Sequence, residues 1–243
     1  MGTPITPYNS GDAKKAQVAQ MFDNIAHRYD FLNHFFSLGI DKLWRRKAVR
    51  MLLSDGPKEI LDVATGTADF AIEAARRAPD LRVIGVDISP GMLDIGRSKV
   101  SKANQDGRVE LVLGDGESLP FEDGRFDAFT VAFGVRNFEN LTAGLREMHR
   151  TLSNGGKGYI LEFSKPRLFP MKQLFWLYFS YVMPTLGKWF SKDASAYTYL
   201  PESVKVFPEG EGLKRILMNC GFSECTLYPL TGGIATLYVV EKA

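Results

Sequence analysis

Leu61–Phe70 reads LDVATGTADF, and its reading decides the fold. Glu59–Val63 has the length of a buried strand, and a helix is predicted to begin near Thr67. The turn between them holds one glycine, Gly66. A dinucleotide site presses a pyrophosphate against bare backbone and uses three glycines spaced G-x-G-x-x-G to do so. Here Ala64 and Ala68 stand where side chains would have to be absent. The strand-turn-helix corner is kept, but it suits a ligand with no phosphate at this point.

Outward from that corner, strands and helices alternate. Strands are predicted at Glu59–Val63, Arg82–Asp87, Val109–Leu113, Phe126–Phe133 and Gly158–Phe163. Helices are predicted near Thr67–Arg77, Pro90–Ala103 and Leu141–Leu152, the last stopping at Asn154-Gly155-Gly156. Continuous apolar strands separated by helices imply a parallel sheet covered on both faces, which binds ligands beyond the carboxyl ends of its strands. Asp12–Asp30 and Ile40–Leu53 have helical spacing ahead of the sheet. After it come a helix at Glu211–Cys220 and strands at Ser223–Pro229 and Ala235–Glu241, joined as a hairpin through Gly232-Gly233. The expected fold class is α/β, Rossmann-like: a seven-stranded, mostly parallel sheet with an antiparallel last strand and helices on both faces.

Composition narrows the function classes. The chain has 243 residues, 45% hydrophobic and 24% charged, enough for one α/β domain with a full core. A net charge of +2 with no basic run of five residues makes nucleic acid an unexpected partner. Cys220 and Cys225 match neither a zinc pair nor a redox dithiol, so they read as small apolar fillers. No metal is expected, and a reducing cytoplasm is the expected compartment. Met1–Asp12 does not read as a signal peptide, and Met1–Thr6 fits a myristoylation pattern only formally. Phe169–Phe190, FPMKQLFWLYFSYVMPTLGKWF, is more apolar than a surface helix needs. Its fifteen uncharged residues between Lys172 and Lys188, interrupted by Pro184, fall short of the roughly 20 that cross a bilayer.

Two further strand ends carry acids. Asp87 closes the second strand, where a carboxylate can take both hydroxyls of a ribose. Its alternative role, capping the helix at Pro90, is already served by Ser89. Asp115, within Gly114-Asp115-Gly116-Glu117, can accept from an adenine amino group while the Gly116 amide meets a ring nitrogen. With Gly66 and Thr67 at the first corner, these residues describe an adenosine pocket. A phosphate-free adenosine ligand with an amino-acid part, S-adenosylmethionine, fits it, and Thr67 at the helix N-terminus could meet its carboxylate.

Asp62–Asp69, Asp87, Asp115-Gly116 and the fourth strand resemble class I methyltransferases that use S-adenosylmethionine. The resemblance then narrows. Phe22-Asp23-x-Ile25-Ala26-x-Arg28-Tyr29-Asp30, Asn33 and Ser37-x-Gly39 resemble the N-terminal signature of the ubiquinone/menaquinone biosynthesis C-methyltransferases. So do Phe133-Gly134-Val135-Arg136-Asn137, Leu161-Glu162-Phe163-Ser164-Lys165-Pro166 and Pro184-Thr185-Leu186-Gly187. Two departures stand out: Ala68 replaces a superfamily glycine, and Ile40-Asp41-Lys42 replaces a histidine-arginine pattern. The resemblance implies C-methylation of a polyprenylated quinol, demethylmenaquinol first. A benzoquinol of ubiquinone biosynthesis, a sterol or another lipid acceptor are the alternatives.

A phenolic hydroxyl titrates near ~10, so the ring must be helped to ionise. Arg136 and Asn137, directly after the fourth strand, are the expected stabiliser of the ring oxyanion and the group that orients the second oxygen. The alternative for Arg136 is an ion pair with Glu139 or Glu147. Tyr29 is expected either at the quinol and methyl donor or as an aromatic anchor. His27 ranks second as a general base, and Glu162 either reaches the pocket or forms a salt bridge. Residues 1–57 read as a helical lid and 58–243 as the methyltransferase domain, with an aromatic helical insert at about 165–208. Phe175, Trp176, Tyr178, Phe179, Tyr181 and Trp189, flanked by Lys172, Lys188 and Lys192, could form a prenyl groove, meet the inner face of the membrane, pack wholly inside the fold, or pack in a homodimer.

Overall fold

The computed structural model describes residues 5–8, 10–182 and 195–243. Its strands are β1 (Glu59–Val63), β2 (Arg82–Asp87), β3 (Val109–Leu113), β4 (Phe126–Ala132), β5 (Leu152–Phe163), β6 (Glu224–Leu230) and β7 (Ala235–Glu241). They form one sheet in the order β3-β2-β1-β4-β5-β7-β6. β7 alone runs against its neighbours, pairing antiparallel with β5 and β6. Residues 231–234 join β6 to β7, a connection too short for the crossover that parallel pairing requires. The strand order reverses between β1 and β4, which places the ligand crevice at their carboxyl ends.

The described helices are α1 (Lys14–Phe36), α2 (Ile40–Ser54), α3 (Asp69–Arg77), α4 (Pro90–Lys102), α5 (Leu141–Thr151), α6 (Met171–Leu177), α7 (Ser195–Val206) and α8 (Glu211–Asn219). Trp44 and Leu52 of α2 and Ala71 and Ala75 of α3 pack on one face of the sheet, against Ile60, Val83 and Leu237. Leu145 and Met148 of α5 and Leu213 and Leu217 of α8 pack on the other, against Leu61, Phe129 and Ile160. A third cluster joins the N-terminal helix to the aromatic region: Val18 and Met21 of α1 meet Phe175 of α6 and Tyr199 and Val204 of α7. The N-terminal segment and the insert therefore pack on each other as well as on the sheet. Cys220 and Cys225 are buried and free, as apolar fillers.

Three boundaries differ from the sequence reading. α3 begins at Asp69 rather than near Thr67, because Ala68 adopts a left-handed conformation (φ 64°) as its N-cap. α1 runs on to Phe36, past the expected end at Asp30. α5 stops at Thr151 and passes directly into β5, so Asn154-Gly155-Gly156 lies inside a strand. The left-handed Gly155 (φ 74°) accommodates a register shift against β4, and Lys242 Nζ donates to the Leu152 carbonyl at 2.6 Å. Pro184-Thr185-Leu186-Gly187, Lys188, Trp189, Lys192 and most of the Met1–Thr6 pattern lie outside the described residues, as does the side chain of Phe179. Among the described residues no helix is long and apolar enough to cross a membrane.

Candidate active site

The corner after β1 is wound unusually tightly. Ala64 (φ 52°), Gly66 (φ 57°) and Ala68 (φ 64°) are all left-handed, a conformation that costs an alanine roughly 1–2 kcal/mol. Buried hydrogen bonds hold it in place. Thr65 N donates to Val86 O at 3.0 Å, and Gly66 N to Asp87 Oδ2 at 2.7 Å. Asp62, 1% exposed, accepts from Thr65 Oγ1 and from Thr130 Oγ1, each at 2.6 Å, so it ties the corner to β4. Gly134 finishes the assembly: a Cβ there would stand 2.7 Å from that of Ala64. Strain of this kind persists where surrounding contacts over-determine the backbone, commonly at a ligand site.

Beside the corner lies a cleft of about 70 Å³ lined by Gly66, Asp87, Asp115 and Gly116, four of the five residues expected to hold cofactor. Asp87 keeps one oxygen on Gly66 N and the other on Ser89 N (2.9 Å), and burial pushes its pKa up to about 6. Ser89 caps α4 by accepting from Met92 N at 3.1 Å, the role the sequence assigned to it. Asp115 is held by Lys15 Nζ at 2.6 Å, and Lys15 also pairs with Glu117 at 3.2 Å. Thr67, the fifth residue, lies behind the cleft: its hydroxyl donates to Asp30 and accepts from Lys99 Nζ at 3.0 Å. Its side chain fastens α1 to α3 and α4.

A larger cavity, about 430 Å³, adjoins this cleft. Phe22, Tyr29, Phe133 and Asn137 line both. Its wall combines the polar side chains of Asn33, Ser37, Asp41, Arg45, Arg136 and Asn137 with the apolar ones of Leu38, Trp44, Leu174, Leu177 and Val182. Arg136 is nearly buried and ion-paired with Glu162 at 2.9 Å, and also donates to the Phe133 carbonyl. The partner is thus neither Glu139 nor Glu147: Glu147 pairs with Arg150 at 2.8 Å, and Glu139 accepts from Lys15 N. Arg136 Nε and Asn137 Oδ1 are buried with no partner. Tyr29 packs edge-on against Phe22, and burial raises the pKa of its hydroxyl despite Asn33 and two arginines nearby. His27 is exposed and lines neither cavity.

Some of this wall was not singled out from the sequence. Ser37, Asp41 and Arg45 repeat at helical spacing, and Asp41, 4% exposed, accepts from Ser37 Oγ at 2.6 Å, from His34 Nδ1 at 2.9 Å and from Arg45. The i, i+4 period was the available signal, but Arg45 sits beside Arg46 and Lys47, and the period alone does not tell which of them faces inward. Lys15, Glu162 as the partner of Arg136, and Tyr199 need tertiary contacts to be recognised.

The sheet order and the phosphate-free corner define a class I S-adenosylmethionine-dependent methyltransferase. Solved structures agree on the fold: the [4+2]-cyclase SpnF (TM-score 0.70, 17% identity, 94% of this chain and 96% of that one). A possible histamine N-methyltransferase of Thermotoga maritima is similar too (TM-score 0.64, 20% identity, 92% and 99%). The profile described as the ubiE/COQ5 methyltransferase family matches residues 10–242, and the chain belongs to that family. It is 52% identical to a demethylmenaquinone methyltransferase of Bacteroides fragilis, over 98% of this chain and 97% of the relative. It is 48% identical to that of Porphyromonas gingivalis, over 98% of each chain. A ubiquinone/menaquinone biosynthesis C-methyltransferase UbiE of a Geobacter species (strain M21) is 46% identical, over 94% and 97%. The methyl donor is S-adenosylmethionine.

The raised pKa of Asp87 gives cofactor binding a pH signature. Were Asp87 the ribose ligand, only its ionised carboxylate would accept from both hydroxyls, and it takes up a proton as pH falls through about 6. Affinity for S-adenosylmethionine is expected to fall roughly tenfold between about pH 7 and pH 5, and Asp87→Asn is expected to flatten that dependence. Isothermal titration across the range checks it; an equally steep slope in the variant would assign the titration to another group, such as Asp62.

Proposed function

We propose that the protein methylates a ring carbon of demethylmenaquinol, the naphthoquinol that precedes menaquinol, inside the 430 Å³ cavity. The observation that carries this is the shared wall: a cofactor cleft and a mainly apolar cavity with a few polar side chains meet at Phe22, Tyr29, Phe133 and Asn137. A prenylated quinol has the same mixed character, a ring with two oxygens and a long apolar tail. The names of the relatives in Bacteroides and Porphyromonas favour the naphthoquinol over a benzoquinol.

S-adenosylmethionine, when bound, supplies an electrophilic methyl group on a sulfonium. Gly66, Asp87, Asp115 and Gly116 hold it by amino-acid part, ribose and adenine. Lys15, Phe22 and Tyr29 of α1 line the cleft, so α1 serves as a lid over the cofactor. Release of Asp115 from Lys15 frees the carboxylate for the adenine amino group. Across the wall, Arg136 holds one ring oxygen. Its pairing with Glu162 fixes the guanidinium plane, and the side chain lines the cavity. Asn137 Oδ1 accepts from the ring's other hydroxyl. Ionisation of the first hydroxyl moves electron density to the ring carbon that takes the methyl; the proton displaced from that carbon then leaves, and aromaticity returns. Tyr29 packs beside the reacting atoms and excludes water.

The cavity opens to the surface through Leu38, Leu174, Leu177 and Val182, all exposed. A tail entering there comes from a bilayer, so this rim rests on the membrane, with Phe169 and Tyr181 exposed nearby in sequence. Flotation with liposomes carrying menaquinone is expected to retain the protein, and Leu174→Asp with Leu177→Asp is expected to release it. Doubling of the mass in solution, lost in the same variant, would instead give the rim to a second copy of the chain.

Arg136→Ala would leave the buried Glu162 carboxylate unpaired, at a cost of about 3–5 kcal/mol, and would confuse folding with catalysis. Arg136→Lys keeps the charge and loses the planar fork. With dithionite-reduced acceptor its kcat is expected to fall about 10²-fold while S-adenosylmethionine affinity stays unchanged. The wild type is expected to methylate only the reduced ring. Equal rates on the oxidised quinone, or loss of cofactor binding alone in the variant, would contradict the assignment.

A further inference from the structure

Among the described residues, four buried side-chain polar atoms have no hydrogen-bond partner: Arg45 Nε, Arg136 Nε, Asn137 Oδ1 and the hydroxyl of Tyr199. All four residues line the one 430 Å³ cavity. Native proteins rarely leave such atoms unpaired, because their desolvation is not repaid. Their confinement to a single cavity says that a polar ligand completes them. Arg136 and Asn137 were expected there; Tyr199 was not.

Packing accounts for the tyrosine ring but not for its hydroxyl. The side chain is 3% exposed on α7, clustered with Val18, Met21, Phe175 and Val204, and phenylalanine would fill that place equally. Its helix packs against the turn Val135–Asn137 that carries Arg136, and both side chains line the cavity. Burial pushes its pKa up to about 12, which keeps it protonated at any working pH. Arg136 can only donate, and a protonated tyrosine on the same cavity wall adds a second donor, whereas Asn137 Oδ1 can only accept. Two donors suit an oxygen that becomes an anion; the acceptor suits the hydroxyl that stays neutral.

We propose that Tyr199 donates a hydrogen bond to the same ring oxygen as Arg136, so that the two form the oxyanion hole for the ionised quinol. This rests on the quinol reading of the cavity. The proton lost from the ring hydroxyl goes to solvent, the oxyanion is held by Tyr199 and Arg136 while the new carbon–carbon bond forms and the carbon–sulfur bond breaks, and the ring-carbon proton is exchanged for one on oxygen. One proton is released overall, and no oxidant is consumed.

The test is Tyr199→Phe in the full-length chain, assayed with S-adenosylmethionine and dithionite-reduced short-chain demethylmenaquinol. The expected result is a kcat lowered about 10- to 10²-fold, with KM for the quinol changed far less and cofactor affinity unchanged. The melting temperature is expected to hold or rise, because the hydroxyl removed has no partner in the free protein. A tyrosine kept for structure would show the reverse, a lower melting temperature with kcat intact. Failure to fold would reveal a structural partner for the hydroxyl and overturn the proposal; so would an unchanged kcat, a rise in KM alone, or loss of cofactor binding. A wild type inactive on every reduced quinol, yet active on another acceptor, would overturn the quinol reading itself and this inference with it.

Discussion

The carboxylate of Glu162 is 1% exposed at the end of β5, and the Arg136 guanidinium 2.9 Å away makes that burial tolerable. The pair joins the strand ends β4 and β5 where the acceptor cavity begins. A buried ion pair of this kind contributes little net stability, since desolvation consumes most of the attraction. What it does supply is direction. Glu162 and the Phe133 carbonyl both engage Nη1 of Arg136, and Phe163 lies under the guanidinium at 5.4 Å. Donors fixed in this way need no reorganisation as charge develops on a substrate oxygen, and that is where electrostatic catalysis gains most.

The opposite side of the site depends on a chain of alternating charges. Lys99 bridges Asp30 and Asp69 at 2.5 Å each, Asp69 meets Arg45, and Arg45 meets Asp41. Asp30 belongs to α1, Asp41 and Arg45 to α2, Asp69 to α3 and Lys99 to α4, so one network fastens the N-terminal segment to the cofactor half of the sheet. Asp23 adds a second tie by accepting from Gly91 N at 2.9 Å at the start of α4. These ties are polar and partly exposed, and therefore weaker and faster to exchange than the apolar packing of α5 or α8. The proposed lid role of α1 draws on that end of the stability range.

Much of the fold was legible because period and punctuation agree in this chain: β1 to β4, the Ser89 cap and the final hairpin all stand where residue pattern puts them. The misjudged boundaries share a cause. Asn154-Gly155-Gly156 is a strong helix stop by local rules, but pairing with β4 and capping by Lys242 carry it into β5. Ala68 has no local reason to be left-handed; only the contacts around Thr65 and Asp62 impose it. At the site, acids at strand ends could be read because topology forces strand ends together. Tyr199, Arg45 and the choice of Arg136 as the partner of Glu162 could not, since these come from which elements pack across the cavity, and a helical tyrosine or arginine has many commoner explanations.

The account turns on the claim that cofactor and acceptor lie on opposite sides of the wall made by Phe22, Tyr29, Phe133 and Asn137. A crystal structure with S-adenosylhomocysteine and a short-chain reduced demethylmenaquinone analogue tests it most directly. The account predicts the adenosine on Asp87 and Asp115, the naphthol ring in the large cavity with one oxygen at Arg136, and its tail leaving past Leu174 and Leu177. An adenosine moiety in the large cavity, or a ring bound away from Arg136, would contradict it.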